Sequence, residues 1–555
     1  MTPTLKEKQP QRDAQSQQNA RQISTKAAGV VGLAVMCSRV LGLLREMVFA
    51  GLFGAGKNLD AFLMAFRLPN LLRDLFAEGA LSTAFITTFS KKIATEGDES
   101  AWRLGNKMAT LTVVFMSAVT LLGIVFTPQV MHVMAPGFAP EKAQLTIVLA
   151  RIMWPFILLV SVAALVMGML NAKHVFGAPA MASSYFNLGS ILSGVALAYF
   201  FDPQKSWLHP HFGPRALVGL SIGTLIGGLW QLTAQFPALR RVGYFFRPDF
   251  FWRDPGVKTV LTLMGPAVIA ASAVQVNVLV NSAFASSLGD GPVSWLSIAF
   301  RLMQLPLGVF GVAIGTVTLP LVSKSAAVGN MDEFRAILAR GMRLAFLLTI
   351  PSAIGLAVLA EPIISLLYQR GRFDAEMPRQ TAGALQFYAL GLVAYSALKV
   401  LTPAFYAIDK KKTPMIVSFI AIGTNLLMNW IFTWRLGWGH RGLAFSTSLV
   451  ATINFIILYA LMVRHSRGLE TGALALTLVK LLLAGVFLGT VCWLSLHFAL
   501  ANWAHMAFLP KLLGVFVSIA AALGAFALAV YLLKVDEVHD LSRMVARKFG
   551  LRARG

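Results

Sequence analysis

A small set of charged and strongly polar residues lies inside otherwise apolar stretches of this sequence. The charged members are Arg39, Arg45, Glu46, Asp60, Arg67, Arg73, Asp74, Glu78, Arg151, Arg301 and Lys399. A charge in the middle of a membrane helix costs about 2.5–3.5 kcal/mol on insertion scales, so such residues usually face a protein interior or a water-filled cavity. We therefore expect these side chains to have a structural or functional partner.

The arginines of this set have the chemistry of an anion site. Acids can neutralise some of them, because two groups share a helix face. These groups are Arg39 with Glu46, and Arg67 with Asn70, Asp74 and Glu78. Arg45 and Arg73 fall outside those stripes, and the apolar stretch around Arg301 contains no acid. Because a guanidinium fork binds phosphate oxygens in a bidentate manner, these three residues predict a cationic chamber for a phosphate or pyrophosphate. The alternative for any one arginine is a buried ion pair or a side chain that reaches the lipid headgroups.

The elements that must position these residues are membrane helices. Hydrophobic residues make up 57% of the 555 residues and charged residues only 13%, whereas soluble domains carry about 25% charged residues. Segments long enough to cross a hydrocarbon core of about 30 Å recur along the chain. We place them at 27–53, 59–90, 108–134, 143–171, 178–201, 216–238, 259–288, 293–323, 344–367, 381–408, 414–434, 442–463, 474–499 and 512–533. The sequence therefore predicts an all-α integral membrane protein with about fourteen transmembrane helices.

The net charge of +24 comes from basic residues that set the orientation of the helices in the membrane, and it does not indicate a nucleic-acid partner. About twenty basic residues fall in even-numbered loops and about ten in odd-numbered loops, which by the positive-inside rule places both termini in the cytoplasm. We expect residues 1–26 to be a disordered tail, 239–258 a basic cytoplasmic linker and 535–555 a basic tail. Two isolated cysteines and scattered histidines exclude a disulfide framework and a zinc-hydrolase motif.

An internal repeat divides the predicted helices. The tetrapeptide Ala-Phe-Arg-Leu occurs at 65–68 and again at 299–302, and the same offset of about 234 residues pairs Pro128 with Pro362 and Gly137 with Gly371. The repeat predicts two parallel six-helix lobes, 27–238 and 259–463, with two further helices in 464–534. Parallel repeats of this kind occur in transporters that bind substrate between the halves.

The residues that carry a family resemblance are concentrated in the first two predicted helices. The blocks 38–46, 53–56, 60–62 and 67–80, with further matches at 135–138, 311–320 and 399–414, closely resemble the MurJ family of lipid II flippases in the MOP exporter superfamily. The resemblance implies a bacterial inner-membrane protein with a central cationic cavity, and a groove on the last two helices for a polyprenyl tail. Its cargo is then lipid II, the undecaprenyl-pyrophosphate disaccharide-pentapeptide, carried to the periplasmic leaflet by alternating access.

The resemblance also assigns the polar residues. It implies that Arg45, Arg73, Arg301 and Arg39 bind the substrate pyrophosphate. The supporting polar positions that it implies are Glu46, Asp60, Asn70 and Glu78. It implies no catalytic residue, no metal ligand and no cofactor, and we expect a monomer with membrane lipids and other cell-wall synthesis proteins as partners.

Two features of this chain depart from some members of that family. Phe300 stands where some members have an acid immediately before the position of Arg301. Some members also bind sodium through carboxylates in helices 7 and 11, and the residues available here are Gln275, Asn277, Asn281, Asn425 and Asn429. We therefore expect the membrane potential, and not sodium, to supply the energy.

Three alternatives remain open at this point. A polysaccharide-repeat lipid flippase shares the logic of a cationic cavity, and a cation-coupled multidrug antiporter belongs to the same superfamily. A membrane enzyme acting on prenyl phosphates would need a metal-binding carboxylate cluster in a loop. The candidate loop acids, Asp332, Glu333, Asp374 and Glu376, look like ordinary solvated residues.

Overall fold

The computed structural model describes residues 8–75, 81–202 and 212–538, and every regular element within these ranges is a helix. The helices of the first half are α1 Lys8–Phe53, α2 Lys57–Leu72, α3 Ser82–Glu96, α4 Asp98–Met134, α5 Pro140–Met153, α6 Pro155–Ala172, α7 Gly177–Phe201, α8 Pro214–Thr233 and α9 Phe236–Arg241. Those of the second half are α10 Pro255–Ser286, α11 Pro292–Pro306, α12 Val312–Ala327, α13 Met331–Val358, α14 Ala360–Tyr368, α15 Glu376–Ala407, α16 Lys412–Trp430, α17 Gly439–His465, α18 Thr471–Phe498 and α19 Phe508–Leu532. The predicted all-α class is confirmed.

Each predicted membrane span overlaps one or two of these helices. In the described ranges, eleven helical stretches are long and apolar enough to cross a membrane. The predicted spans 27–53, 59–90 and 259–288 coincide with helices that are not among these eleven. The chain is therefore a multi-pass membrane protein, and the number fourteen is not confirmed.

The first helix corrects the prediction of a disordered N-terminal tail. Helix α1 begins at Lys8, so residues 8–26 are helical, while residues 1–7 lie outside the described residues. The composition explains the difference, because Gln, Ala, Arg and Lys all have good helix propensity and the segment continues directly into an apolar helix.

The chain forms two compact units. The first contains residues up to Leu52, Ala61–Val133 and Ala139–Gln275, and the second contains Phe53–Asp60, Met134–Phe138 and the chain from Val276 onward. The second unit thus includes two short segments from the first half of the sequence. Helix α10 contributes to both units, and the predicted lobe boundaries remain a prediction.

Small residues allow close helix packing in the first unit. A Cβ atom on Gly223 of α8 would lie 2.3 Å from the Cα of Gly194 on α7, and one on Gly219 would lie 2.5 Å from the backbone of Leu197. Only glycine permits such backbone approach, which is a common basis of helix association in membranes. This close packing against α8 fixes the position of α7, the helix that carries Phe186.

The last two long helices, α18 and α19, pack within the second unit. Leu481, Ala484 and Leu488 of α18 share one buried cluster with Phe346 and Ile350 of α13. An ion-pair cluster adds to this contact, because Arg343 of α13 pairs with Glu470 before α18 and with Glu537 after α19. These helices are therefore fixed to the second unit by both apolar and charged contacts.

Candidate functional site

Arg45 lies on α1 and is 9% exposed. Its guanidinium carbon is 5.0 Å from the ring centroid of Phe186 on α7 and 5.9 Å from that of Phe66 on α2. These two rings also contact Phe156 of α6, at 5.3 Å in each case. A cation over an aromatic face gains about 0.5–2 kcal/mol, more when water is excluded. Three helices of the first unit therefore orient a buried guanidinium group, and no pattern in the sequence indicates this aromatic support.

Arg73 lies just beyond the end of α2. The prediction that its side chain lies away from the acids of its own helix is wrong. Its Nε and Nη2 atoms donate to Oδ1 of Asp74 at 3.1 and 2.9 Å. The helical stripe considered residues three and four apart, whereas this pair joins direct sequence neighbours; residues 73–75 form a π-helical turn. Since the two side chains are 22% and 35% exposed, the pair is partly solvated and of modest strength.

The other polar residues of the first two helices occupy varied environments. Arg39, Glu46 and Asn70 are half-buried. Within the described ranges, no ion pair joins Arg39 to the acid predicted to share its face, Glu46. Glu78 lies outside the described residues, so its predicted role is not addressed.

Arg301 lies on α11 of the second unit and is half-buried. The preceding residue, Phe300, contacts the ring of Tyr388 on α15 at 5.3 Å. An acid at this position would lose that contact. Helix α11 ends at Pro306 and continues as a π-helical turn over Leu307–Gly311, which is a frequent feature of functional helices.

Asp60 is fully buried in the second unit and caps the start of α11. Its carboxylate accepts hydrogen bonds from the backbone N–H of Gly291 at 2.7 Å, the N–H of Ser294 at 2.8 Å and the Ser294 hydroxyl at 2.6 Å. The unpaired amides and partial positive charge of a helix N-terminus favour such an anion. The predicted supporting polar role of Asp60 thus has a defined geometry, which sequence spacing could not show because the partners lie more than 230 positions away.

Three amide side chains, Asn281 of α10 and Asn425 and Asn429 of α16, form one largely buried cluster. Asn429 Nδ2 donates to Oδ1 of Asn281 at 2.7 Å and to Oδ1 of Asn425 at 3.0 Å, and Ser446 donates to Oδ1 of Asn429. The carbonyl oxygens that could ligate a cation therefore already accept hydrogen bonds, and the three amides carry no negative charge. This donor set does not fit a sodium ion, which prefers carboxylate and free carbonyl oxygens.

Arg45 and Arg73 thus belong to the first unit, whereas Arg301, the Asp60 cap and the amide cluster belong to the second. Within the described ranges, no group of three or more His, Cys, Asp and Glu side chains is placed to hold a metal ion. A guanidinium group is suited to binding an anion by charge and hydrogen bonds.

Comparison with known proteins decides the family. The family model described as lipid II flippase MurJ matches residues 49–514 of this chain. The chain belongs to the MurJ family of lipid II flippases. A lipid II flippase MurJ from Burkholderia cenocepacia is 34% identical over 480 residues, which cover 85% of this chain and 89% of that protein.

Solved structures show the same fold. A lipid II flippase MurJ in an inward closed conformation matches with a TM-score of 0.72 and 24% identity, covering 91% of this chain and 99% of that one. An inward-facing multidrug resistance transporter of the MATE family and MOP superfamily matches with a TM-score of 0.66 and 16% identity, covering 79% of this chain and 98% of that one. Membership of the MurJ family favours the flippase over the multidrug antiporter and the polysaccharide-repeat flippase, although all three classes were open from the residues alone.

Proposed function

We propose that this chain carries lipid II from the cytoplasmic to the periplasmic leaflet of a bacterial inner membrane by alternating access. Arg45, Arg73, Arg301 and Arg39 bind the substrate pyrophosphate in this proposal. The observation that carries it is the buried Arg45 guanidinium held against two aromatic rings in a chain of the MurJ family.

The chemistry of Arg45 matches a pyrophosphate. Aromatic rings hold the plane of the guanidinium group through its face, and the planar fork matches the geometry of phosphate oxygens. The Arg73–Asp74 pair is partly solvated, and a pyrophosphate can compete for such a pair because its two phosphates together carry more charge than one carboxylate.

The remaining parts of the proposal concern topology and energy. Both termini lie in the cytoplasm, 27–238 and 259–463 act as the two lobes, 239–258 is a cytoplasmic linker, and 464–534 holds the polyprenyl tail. The membrane potential biases the cycle, since one elementary charge moved through the field is worth about 2.3 kcal/mol per 100 mV. The protein acts as a monomer and not as an enzyme.

The test is complementation of a strain depleted of its own lipid II flippase. The variants Arg45→Ala, Arg73→Ala and Arg301→Ala should fail to support growth although the protein reaches the membrane. Arg45→Lys should also be defective, because lysine keeps the charge and loses the planar fork. The matched control is Arg103→Ala, which removes an exposed arginine paired with Glu99 and should grow normally. Normal growth of all three alanine variants would refute the pyrophosphate role.

A further inference from the structure

Residues 242–253, which we name the strap, connect α9 to α10 without regular structure and expose aromatic side chains. Phe245, Phe246, Phe250 and Phe251 are 67%, 52%, 66% and 62% exposed. Four neighbouring phenylalanines in contact with water would be costly, since burying each one is worth about 1.5–3 kcal/mol. A patch of this kind marks an interaction surface.

The strap is held in a defined position on α4. The backbone N–H of Arg247 donates to Oδ1 of Asn106 at 3.1 Å, and the N–H of Asp249 donates to Oγ1 of Thr110 at 3.0 Å. The ring of the buried Tyr244 contacts the ring of Trp102 at 5.2 Å. These contacts therefore hold the strap in one conformation, in which the phenylalanines are exposed.

An ion pair fastens the end of the strap. Lys107 of α4 donates to Asp254 at 2.8 Å, and the same ammonium lies 5.2 Å from the ring centroid of Phe251. Burial raises the pKa of Asp254, but the hydrogen bonds from Lys107 and from the Gly256 N–H outweigh it and leave the pKa below its usual value. The pair is therefore fully formed near neutral pH and weakens only as pH falls through that lowered pKa.

Exposed basic side chains surround the phenylalanines. The segment 236–258 contains five basic and two acidic residues, and one of the acids is Asp254, already paired with Lys107. The exposed arginines are Arg240, Arg241, Arg247 and Arg253. In the described part of the chain, none of these four forms an ion pair. The surface thus combines apolar rings with available positive charge.

The attachment points place the strap at a membrane boundary. Asn106 and Thr110 lie where α4 changes from its charged first turns to the apolar stretch beginning near Met108. Farther along α4, Val113, Val114 and Phe115 are exposed, as lipid-facing residues are. A segment bonded at this point of a membrane helix lies beside the lipid headgroups, where aromatic and basic residues are enriched.

We propose that the strap is an interfacial anchor for anionic phospholipids. Its four phenylalanines insert at the boundary of headgroups and acyl chains, and Arg240, Arg241, Arg247 and Arg253 bind lipid phosphates. Charge complementarity selects anionic over zwitterionic lipids, because each basic residue at a membrane surface strengthens the attraction to anionic lipid about fivefold. The role is separate from lipid II binding, because none of these residues belongs to the arginine set of the proposed site.

The first experiment measures depth. The full chain, with Cys37 and Cys492 replaced by alanine and Phe250→Cys labelled with a nitroxide, is placed in nanodiscs of phosphatidylcholine with or without one-quarter phosphatidylglycerol. Electron paramagnetic resonance should show the label accessible to oxygen and protected from a water-soluble nickel relaxant. A label that is fully accessible to the nickel complex in both lipid mixtures would overturn the proposal. Protection of the label from nickel that appears only after a soluble acidic protein is added would also overturn it, because the strap would then bind that protein and not the lipid.

The second experiment measures lipid preference. Native mass spectrometry of the full chain should show phosphatidylglycerol retained over phosphatidylcholine, and Arg247→Gln with Arg253→Gln should reduce that ratio by up to about thirtyfold. The matched control is Arg464→Gln with Arg467→Gln, which removes two exposed arginines from a loop without the strap's phenylalanines. An equal loss in both double variants, or no loss in the first, would overturn the proposal. Equal melting temperatures of the two variants exclude misfolding as the cause.

Discussion

Replacement of Asp60 by alanine should open the start of α11. The wild-type carboxylate is 0% exposed and accepts three hydrogen bonds, two from backbone amides and one from the Ser294 hydroxyl. Alanine leaves these buried donors without an acceptor and removes the negative charge that compensates the helix N-terminus.

The magnitude follows from the geometry. Each unsatisfied buried donor costs about 1–3 kcal/mol, and the hydroxyl can rotate toward another acceptor. The two amides, Gly291 and Ser294, therefore set the cost at about 2–6 kcal/mol, which corresponds to a local opening equilibrium raised by about 30- to 25,000-fold. Ser294→Ala removes only the hydroxyl donor and should cost about 0.5–1.5 kcal/mol. Asp60→Asn keeps one acceptor oxygen and should fall between the two.

Hydrogen–deuterium exchange of peptides covering 288–297 provides the assay. The order of exchange rates should be Asp60→Ala fastest, then Asp60→Asn, then Ser294→Ala, then wild type. Peptides from α18, which packs against α13, serve as the internal control and should be unchanged. Exchange in Asp60→Ala within twofold of wild type would refute the capping role.

Three further predictions follow from the second unit and from Arg73. Arg343→Met should lower the melting temperature, because it leaves the buried carboxylate of Glu537 without its partner at a cost of about 3–5 kcal/mol. The additional change Glu537→Gln should recover part of this loss. An unchanged melting temperature in Arg343→Met would contradict the ion-pair cluster. The wild type should melt at the same temperature in sodium, potassium and choline chloride, whereas Asn429→Asp should become selectively stabilised by sodium; sodium stabilisation of the wild type would show that the amide cluster does bind the ion. Asp74→Asn should tighten binding of a pyrophosphate-bearing lipid by up to about fivefold, since it removes the carboxylate competing for Arg73, and weaker binding would argue that the acid positions the arginine.

Apolar segments located the helices well because their cause is local. Every predicted span overlaps a helix, since a stretch of about 20 apolar residues must satisfy its own backbone hydrogen bonds in lipid. The helix over residues 8–26 was not predicted, because these residues are polar and therefore carry no apolar signal. Polarity identifies a segment that does not enter the membrane, but it does not prevent a helix from extending out of it.

The site was predictable as a set of residues and not as a geometry. Arg45, Arg73 and Arg301 stood out because charges are rare in apolar helices, whereas their partners depend on tertiary contacts or on a direct sequence neighbour. The ring of Phe186 that supports Arg45 is more than 140 positions away in sequence, and nothing distinguishes it from other buried phenylalanines. The Arg73–Asp74 pair joins direct sequence neighbours, which a helical stripe built on residues three and four apart does not consider.

The most direct test of the central claim is the appearance of lipid II in the periplasmic leaflet. A flippase-depleted strain expressing this chain would be exposed to an enzyme that is confined to the periplasm and cleaves lipid II, and the cleavage product would be quantified. We expect cleavage in cells that express the wild-type chain or Arg103→Ala. In cells that express Arg45→Ala we expect no cleavage product and an accumulation of lipid II. Cleavage equal to wild type in cells that lack the chain, or in cells that carry only Arg45→Ala, Arg73→Ala or Arg301→Ala, would contradict the proposed function.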